Sequence, residues 1–244
     1  MKKNTEIFIV LLVIMFASHI FAQNDSWLNE INKYAKDQNI SDDSLYTMLS
    51  HWGSYPVTDS TEVFITYYNQ INDTLAAPYV LYIPPGYDPN TKTPILVYLH
   101  GGVSTKDFYS IEEGFPQDNP FIHFAEENNW LMLFPFGNID TSWWDLAGVR
   151  NIQTQVRTLK TYYNIDDDRI FMTGFSDGGS GSFFMAMSAP DDFASFYPLN
   201  GFLSVGSQVT NTPSFIPNLK NRRVNVINTD LDQLYPARRM RLLM

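Results

Sequence analysis

The stretch with the clearest chemical pattern is Arg169–Gly179, which reads RIFMTGFSDGG. Ser176 lies between Gly174 and Gly178 in a G-x-S-x-G pattern, with a short apolar run before it and small residues after it. A sharp turn from strand to helix needs residues without side chains around the serine, and it presents the hydroxyl at a helix N-terminus. The pattern therefore predicts that Ser176 is a nucleophile. A glycine-rich turn without chemistry is the alternative interpretation.

A serine nucleophile also needs hydrogen-bond donors for the oxyanion of its tetrahedral intermediate. The residue after the nucleophile supplies one backbone N–H, which here belongs to Asp177. The second donor is expected in the loop after the apolar run Pro94–Leu99, where two glycines follow His100. We expect the backbone N–H of Gly102 or Val103 to serve there. An ordinary tight turn is the alternative interpretation of this loop.

An acid and a histidine base complete such a site in the chain order serine, acid, histidine. Asp232 is the first-choice acid because it follows the predicted strand Arg223–Asn228, and Asp230 is the second choice. A role in a turn is the alternative for both aspartates. All four histidines precede Ser176 in the chain: His19, His51, His100 and His123. The sequence therefore offers no base after the acid, and we expect His100 to belong to the oxyanion loop instead.

Strands and helices alternate around these residues. Runs rich in β-branched and aromatic residues predict strands at Glu62–Tyr68, Pro78–Ile83, Pro94–Leu99, Trp130–Phe134, Ile170–Thr173, Ala194–Leu199 and Arg223–Asn228. Helical spacing of apolar residues predicts helices at Phe121–Glu127 and Val149–Tyr163, and a third helix after Ser176. This alternation predicts an α/β fold with a mostly parallel central sheet and helices on both faces. The carboxyl ends of its strands bring the candidate residues together.

The N-terminus has the pattern of an export signal. Lys2 and Lys3 precede the apolar run Ile7–Ala17, which is too short to span a bilayer, and Ala22 precedes polar residues. We predict a signal peptide over residues 1–22, cleaved after Ala22, and hence a secreted or periplasmic protein without stable membrane association. An uncleaved anchor is the alternative. Residues 23–60 are expected to form a helical extension, with helices at Asp25–Gln38 and Ser41–His51. Residues 61–244 are expected to form the α/β domain.

The composition excludes several classes of function. The chain of 244 residues carries a net charge of −10 and has no cysteine. The negative charge disfavours nucleic-acid binding, and the lack of cysteine excludes disulfides, thiol catalysis and cysteine-based zinc sites. The sequence has no metal-ligand cluster or phosphate-binding loop, so no cofactor is expected. Trp143 and Trp144 are candidates for stacking on a sugar or phenolic ring, with core packing or a lid hinge as alternatives.

The run from Pro78 to Pro236 resembles the α/β-hydrolase superfamily. The similarity is to secreted esterases related to feruloyl and acetylxylan esterases and polyhydroxyalkanoate depolymerases, and to prolyl-oligopeptidase-type peptidases. The matching stretches, in the family's order, are YVLYIPPGYDP, ILVYLHGG, DDDRIFMTGFSDGG, FASFYPLNG and VNVINTDLDQLYP. By position, the resemblance implies Ser176 as nucleophile and Asp232 as orienting acid. It also implies Asp177, with Gly102 or Val103, as the oxyanion donors.

Members of this superfamily continue after the acid with another strand, a loop that carries the catalytic histidine and a final helix. This sequence lacks all three, so we expect a C-terminally truncated α/β-hydrolase domain whose histidine lies beyond Met244. The expected function is a secreted serine esterase that cleaves small-molecule or polysaccharide-linked esters through an acyl-enzyme. The 244-residue polypeptide is expected to have poor activity or none. The alternatives are a prolyl-oligopeptidase-type peptidase, or a non-catalytic binding protein if these residues are the whole product.

Overall fold

The computed structural model describes two long stretches of the chain, residues 63–110 and 119–243. It also describes single residues outside these stretches: Lys36, Ser41, Asp43, Ser44, Tyr55 and Glu113. The predicted leader over residues 1–22, the predicted helix Asp25–Gln38 and most of Ser41–His51 lie outside the described residues. By internal contacts the chain divides into the units Met1–Gly53 and Ser54–Met244. The second unit contains every element described below.

A seven-stranded sheet forms the centre of this unit. The strands are β1 (Val63–Asn72), β2 (Leu75–Ile83), β3 (Thr93–Leu99), β4 (Leu131–Pro135), β5 (Ile165–Phe175), β6 (Ser195–Leu199) and β7 (Arg223–Val224). Their order across the sheet is β1-β2-β4-β3-β5-β6-β7. The β1–β2 and β2–β4 pairs are antiparallel, and the four remaining pairs are parallel. The predicted mostly parallel sheet is confirmed.

Helices cover both faces of the sheet. They are α1 (Pro120–Asn128), α2 (Leu146–Tyr162), α3 (Asp177–Ser188), α4 (Val205–Thr210), a 3-10 helix (Ile216–Asn221) and α5 (Ala237–Met240). Successive residues of β2 point to opposite faces, so Leu81 packs in one core with α2 and α3, while Tyr82 packs in another with α1. In the described part of the chain, no helix combines the length and apolar character needed to cross a bilayer.

Local sequence explains where the main helices begin. Asp145 precedes α2, and its carboxylate accepts hydrogen bonds from the backbone N–H groups of Gly148 and Ser142, each at 2.6 Å. Asn119 caps α1 in the same way through the N–H of Phe121 at 3.0 Å, with Pro120 in the first turn. Side chains of this kind satisfy backbone donors that have no partner inside the helix. Both predicted helices are confirmed within a few residues of their expected bounds.

The last strand is shorter than predicted. The sequence predicts a strand over Arg223–Asn228, but only Arg223–Val224 pairs with β6, and Ile227 forms an isolated bridge with Leu199. The backbone N–H of Ile227 still donates to the carbonyl of Pro198 at 3.0 Å. Pro198 has no N–H with which to return a bond, so the ladder is interrupted at that point. The predicted bounds of this strand are therefore wrong.

Candidate active site

The candidate nucleophile Ser176 lies at the sharp turn between β5 and α3. Its backbone has φ 57° and ψ −117°, a strained conformation for a residue with a side chain. The Ser176 N–H donates to the Leu199 carbonyl at 3.1 Å, and its carbonyl accepts the N–H of Ser180 at 2.9 Å. A Cβ atom on Gly178 would overlap the carbonyl oxygen of Leu99. The turn is thus held against the carboxyl ends of β3 and β6, and it leaves the serine partly exposed.

The loop after β3 lies directly against the serine. A Cβ atom built on Gly101 would be 3.3 Å from Ser176 Cβ and 3.9 Å from Ser176 Oγ. Gly102 has φ 70°, a left-handed conformation that suits glycine, and a side chain there would collide with the Tyr109 hydroxyl. The buried Val103 donates its backbone N–H to Asp177 Oδ2 at 3.2 Å. The structure therefore brings the predicted oxyanion loop and Ser176 together.

His100 is buried at the start of this loop, with both ring nitrogens in hydrogen bonds. Nε2 accepts the N–H of Gly137 at 3.0 Å, so the proton of the neutral ring lies on Nδ1, which is 2.8 Å from the Gly101 carbonyl. Burial lowers the pKa of His100, and the Gly101 carbonyl and the Asp177 carboxylate only partly oppose that shift. A neutral imidazole with both nitrogens occupied stabilises the loop and has no free nitrogen for proton transfer from Ser176.

Trp143 and Trp144 are core residues. Trp143 is fully buried and Trp144 is 8% exposed, so neither ring is available to stack on a sugar. Trp143 Nε1 donates to the His100 carbonyl at 2.9 Å, and its ring packs edge-on against the imidazole with 5.0 Å between centroids. The stacking interpretation of these residues is wrong, and the core-packing interpretation is confirmed. Trp143 thus packs in the core that α2 and α3 cover, and its hydrogen bond connects this core to the residue that follows β3.

The candidate acid Asp232 is held by three hydrogen bonds. Oδ1 accepts the N–H groups of Tyr235 and Leu234 at 2.6 and 2.8 Å, and Oδ2 accepts the side-chain amide of Asn200 at 2.6 Å. The Tyr235 N–H, with help from Asn200 and Leu234, lowers the pKa of Asp232, so the carboxylate is ionised at neutral pH. A carboxylate has about four lone-pair positions, so Oδ2 keeps one for an imidazole N–H.

The second-choice acid is placed differently. Asp230 has a side chain that is 70% exposed, and its ion-pair partner among the described residues is Arg241 at 3.8 Å. An exposed carboxylate at that distance is held only weakly. The contrast with the three hydrogen bonds of Asp232 favours Asp232, which stays the first choice.

Asn200 is a residue that the sequence reasoning missed. It follows β6 with φ 44°, and its backbone N–H donates to the Ile227 carbonyl at 2.8 Å. Besides Asp232, its side chain contacts Thr229, accepting the Thr229 N–H at 3.2 Å. Leu199, the neighbour of Asn200, accepts the Ser176 N–H. Asn200 therefore links the turn that contains Ser176 (the nucleophile turn) to the loop that contains Asp232 (the acid loop). The Asn-Gly dipeptide at Asn200 is typical of a residue in the left-handed region and is the signal from which the position could have been found.

The acid loop lies at the same edge of the sheet as the serine. Burial raises the pKa of Tyr235, the negative charges of Asp177 and Asp232 add to that shift, and the positive charge of Arg239 opposes it. The Tyr235 phenol is therefore within electrostatic reach of both the residue after the nucleophile and the candidate acid. Its ring also stacks on Phe202, with centroids 5.5 Å apart.

No imidazole in the described part of the chain is placed to take the Ser176 proton. His100 has both nitrogens occupied, and His123 lies on α1 with an exposed side chain 3.5 Å from Glu126. His19 and His51 lie outside the described residues. Among the described residues, no group of histidine and acidic side chains is arranged to hold a metal ion. The described residues thus bring together a candidate nucleophile, the predicted oxyanion loop and a candidate acid.

A cavity of about 600 Å³ opens beside the serine. Gly101, Phe175 and Leu199, which all adjoin Ser176, form one side of it. Four aromatic side chains contribute to its lining: Tyr98, Tyr109, Phe121 and Phe175. This volume is in the range of sites for small organic molecules. The cavity, whose lining also includes His100, Glu113 and Asn119, therefore places a largely aromatic space next to the candidate nucleophile.

Comparison with known proteins agrees with this architecture. No family model matches the chain. It is 26% identical over 152 residues to the bifunctional acetylxylan esterase/xylanase XynS20E of Neocallimastix patriciarum, a match that covers 61% of this chain and 21% of that protein. It is 25% identical over 144 residues to the probable acetylxylan esterase A of Aspergillus flavus, covering 52% of this chain and 44% of that protein.

A solved structure of a thermostable esterase superposes on this chain with a TM-score of 0.57 at 25% identity, covering 74% of this chain and 50% of the esterase. The chain therefore spans less than half of the two curated relatives and half of this esterase. Together with the strand order and the strand–turn–helix at Ser176, these matches agree with the resemblance stated from sequence.

Proposed function

We propose that this chain, which has the α/β-hydrolase fold, is the core of a serine hydrolase that cleaves carboxylic esters. The observation that carries the proposal is the strained Ser176 at a helix N-terminus, packed against the glycine loop that follows β3. Strained backbone conformations of this kind occur most often at functional sites, where one side chain must be held in a fixed position. The similarity to proteins named acetylxylan esterases supports ester cleavage in particular.

In the proposed reaction, Ser176 Oγ attacks the ester carbonyl carbon and loses its proton to a base. The carbonyl oxygen becomes an oxyanion, which the backbone N–H groups of Asp177 and of the Gly102–Val103 loop stabilise. The ester C–O bond breaks, and the alcohol leaves with the proton from the base. Water then attacks the acyl-enzyme in the same way and releases the acid. Asp232 orients the base and stabilises its protonated form.

The proposal takes the base from a histidine outside the 244 residues. It rests on the chain order of α/β hydrolases, in which the histidine follows the acid, and on the occupied nitrogens of His100. The intact mass of the native protein, read together with its peptide map, tests this directly. We expect peptides beyond Met244 that include a histidine. A native protein that ends at Met244 would contradict the proposed base and leave a non-catalytic role.

The substrate class is proposed as a small-molecule or polysaccharide-linked ester in the extracellular or periplasmic space. The names of the two curated relatives support a polysaccharide ester, and the cavity beside Ser176 offers room for an acyl group. The export pattern at residues 1–22 supports an exported protein, and the net charge of −10 disfavours polyanionic substrates. The chemistry requires no cofactor.

The test is hydrolysis of p-nitrophenyl acetate by the native protein and by two serine variants. We expect S176A to lower kcat/KM by about 10⁴-fold or more. The matched control is S182A, since Ser182 lies on the same helix with a buried hydroxyl that has no partner in the described residues. It should keep wild-type activity. Wild-type turnover by S176A would overturn the proposal, and faster cleavage of a p-nitroanilide would indicate a peptidase.

A further inference from the structure

The side chain of Asp177 reaches across the site to the oxyanion loop. Its Oδ2 accepts the backbone N–H of Val103 at 3.2 Å, which joins residues 74 positions apart in the chain. Val103 is 1% exposed, so the donor end of this part-buried hydrogen bond lies away from water. The negative side chain also lies in the first turn of α3, where the helix dipole favours it. Asp177 is thus tied to both halves of the oxyanion site.

This contact distinguishes the two candidate oxyanion donors of the loop, the N–H groups of Gly102 and Val103. The Val103 N–H already points to a carboxylate, and that direction is unavailable to a substrate oxyanion in the same geometry. The Gly102 N–H makes no hydrogen bond with the described part of the chain. The left-handed backbone of Gly102 and the close approach of Gly101 to Ser176 hold that amide beside the nucleophile.

We propose that Asp177 is a positioning residue: its carboxylate holds the loop Gly101–Val103 against the nucleophile turn, so that the Gly102 amide is the second oxyanion donor. This inference rests on the proposed ester hydrolysis for its catalytic meaning. The bond itself is independent of catalysis. Asparagine at this position keeps an acceptor oxygen at the same reach, whereas alanine removes it, so the two variants separate the hydrogen bond from the size of the residue.

Turnover of p-nitrophenyl acetate by the native protein is the first test. D177A is expected to lower kcat about 10-fold, less than the full loss of an oxyanion donor, while KM stays within about 3-fold. D177N keeps an acceptor oxygen for the Val103 N–H and is expected to recover most of the kcat that D177A loses. A role only in folding would lower the number of active sites counted by active-site titration, without changing kcat per titrated site. D177A with wild-type kcat per site would overturn the inference.

Amide hydrogen exchange is the second test, and it does not depend on turnover. In the wild-type protein the Val103 amide should exchange at least about 10-fold more slowly than the Gly102 amide, since only Val103 is hydrogen-bonded. D177A should speed Val103 exchange about 10-fold, and D177N should not. Equal rates for the two amides in wild type would overturn the inference even if D177A fails to fold. Failure of the esterase assay with slow Val103 exchange would reject the proposed function and keep the contact.

Discussion

Ser176, Asp232 and Asn200 are connected by a short path of hydrogen bonds at the carboxyl edge of the sheet. The N–H of Ser176 bonds to Leu199, and the next residue, Asn200, bonds to Asp232. The serine turn and the acid loop therefore share one support at the end of β6. Substitution of a single residue in this path is expected to disturb both the serine turn and the acid loop. This expectation leads to two predictions at the scale of the residue.

The first prediction concerns the charge of Asp232. D232N keeps a side chain of the same size but cannot stabilise a protonated base, so kcat should fall about 10³- to 10⁴-fold in the native protein. The matched control is D230N, because Asp230 is exposed and lies 3.8 Å from its partner Arg241. Its kcat should stay within about 2-fold of wild type. Steady-state hydrolysis of p-nitrophenyl acetate measures both, and a larger loss in D230N would exchange the roles of the two aspartates.

The second prediction concerns Asn200. N200A removes the amide that holds Asp232, so the acid loop loses its link to β6 and kcat should fall about 10-fold. N218A is the control, because the Asn218 amide donates a comparable hydrogen bond to the Met187 carbonyl at 2.8 Å, outside the site. N218A should lose about 1 kcal/mol of unfolding free energy, and N200A should lose more, because alanine is strained at the φ of 44° that Asn200 adopts. Equal loss of activity in the two would show that stability alone is being measured.

At the scale of the element, the turn between β5 and α3 depends on contact between backbones. The third prediction is that G178A lowers the melting temperature by roughly 3–10 °C, because its Cβ overlaps the Leu99 carbonyl and backbone must shift. G86A is the control. Its Cβ would lie 2.9 Å from Asn129 Oδ1, the end of a side chain that can rotate away. Calorimetry measures the melting temperatures of both variants. Equal melting temperatures for G178A and G86A would contradict the packing described.

The elements themselves were largely predictable from the sequence. Apolar and β-branched runs predicted the strands, and the helical spacing of apolar residues predicted α1 and α2, because these patterns reflect burial of one face or both. The end of β7 was not predicted, since it depends on Pro198 in the neighbouring strand and not on residues of β7. The pairing of two strands depends on the residues of both, whereas the prediction of Arg223–Asn228 used the residues of that strand alone.

The site was predictable in its residue types but not in its contacts. The glycine pattern identified Ser176 and the loop after β3, because tight turns leave a local signature. The hydrogen bond between Asp177 and Val103 joins residues 74 positions apart, so it has no local signature in the sequence. Burial of Trp143 was equally invisible, since an aromatic residue in a loop can face solvent or core. The roles of the predicted site residues stay predictions that the variants above test.

At the scale of the whole molecule, buried His100 makes the fold sensitive to acid. Burial lowers its pKa in the folded state, whereas the unfolded chain gains a proton near pH 6.5. The unfolded state then binds more protons as pH falls, so stability decreases below about pH 6.5, with a limiting slope of about 1.4 kcal/mol per pH unit. The lowered pKa of Asp166, from its bond to Arg169, acts in the same direction at lower pH.

The fourth prediction follows from this sign. Urea unfolding should show a lower midpoint at pH 5 than at pH 7, and H100Q should remove most of that difference at a lower overall stability. H123Q is the control, because His123 is exposed on α1 beside Glu126. It should keep the wild-type dependence on pH. A wild-type midpoint that is unchanged between the two pH values would contradict the neutral, buried state of His100.

The central claim is that Ser176 forms an acyl-enzyme, and trapping that intermediate tests it most directly. The native protein is mixed with p-nitrophenyl acetate, quenched in acid within the first turnover and digested for peptide mass spectrometry. We predict one acetyl group on the peptide that contains Ser176 in wild type and S182A, and none in S176A. An acetyl group on another residue, or full ester hydrolysis by S176A, would contradict the account.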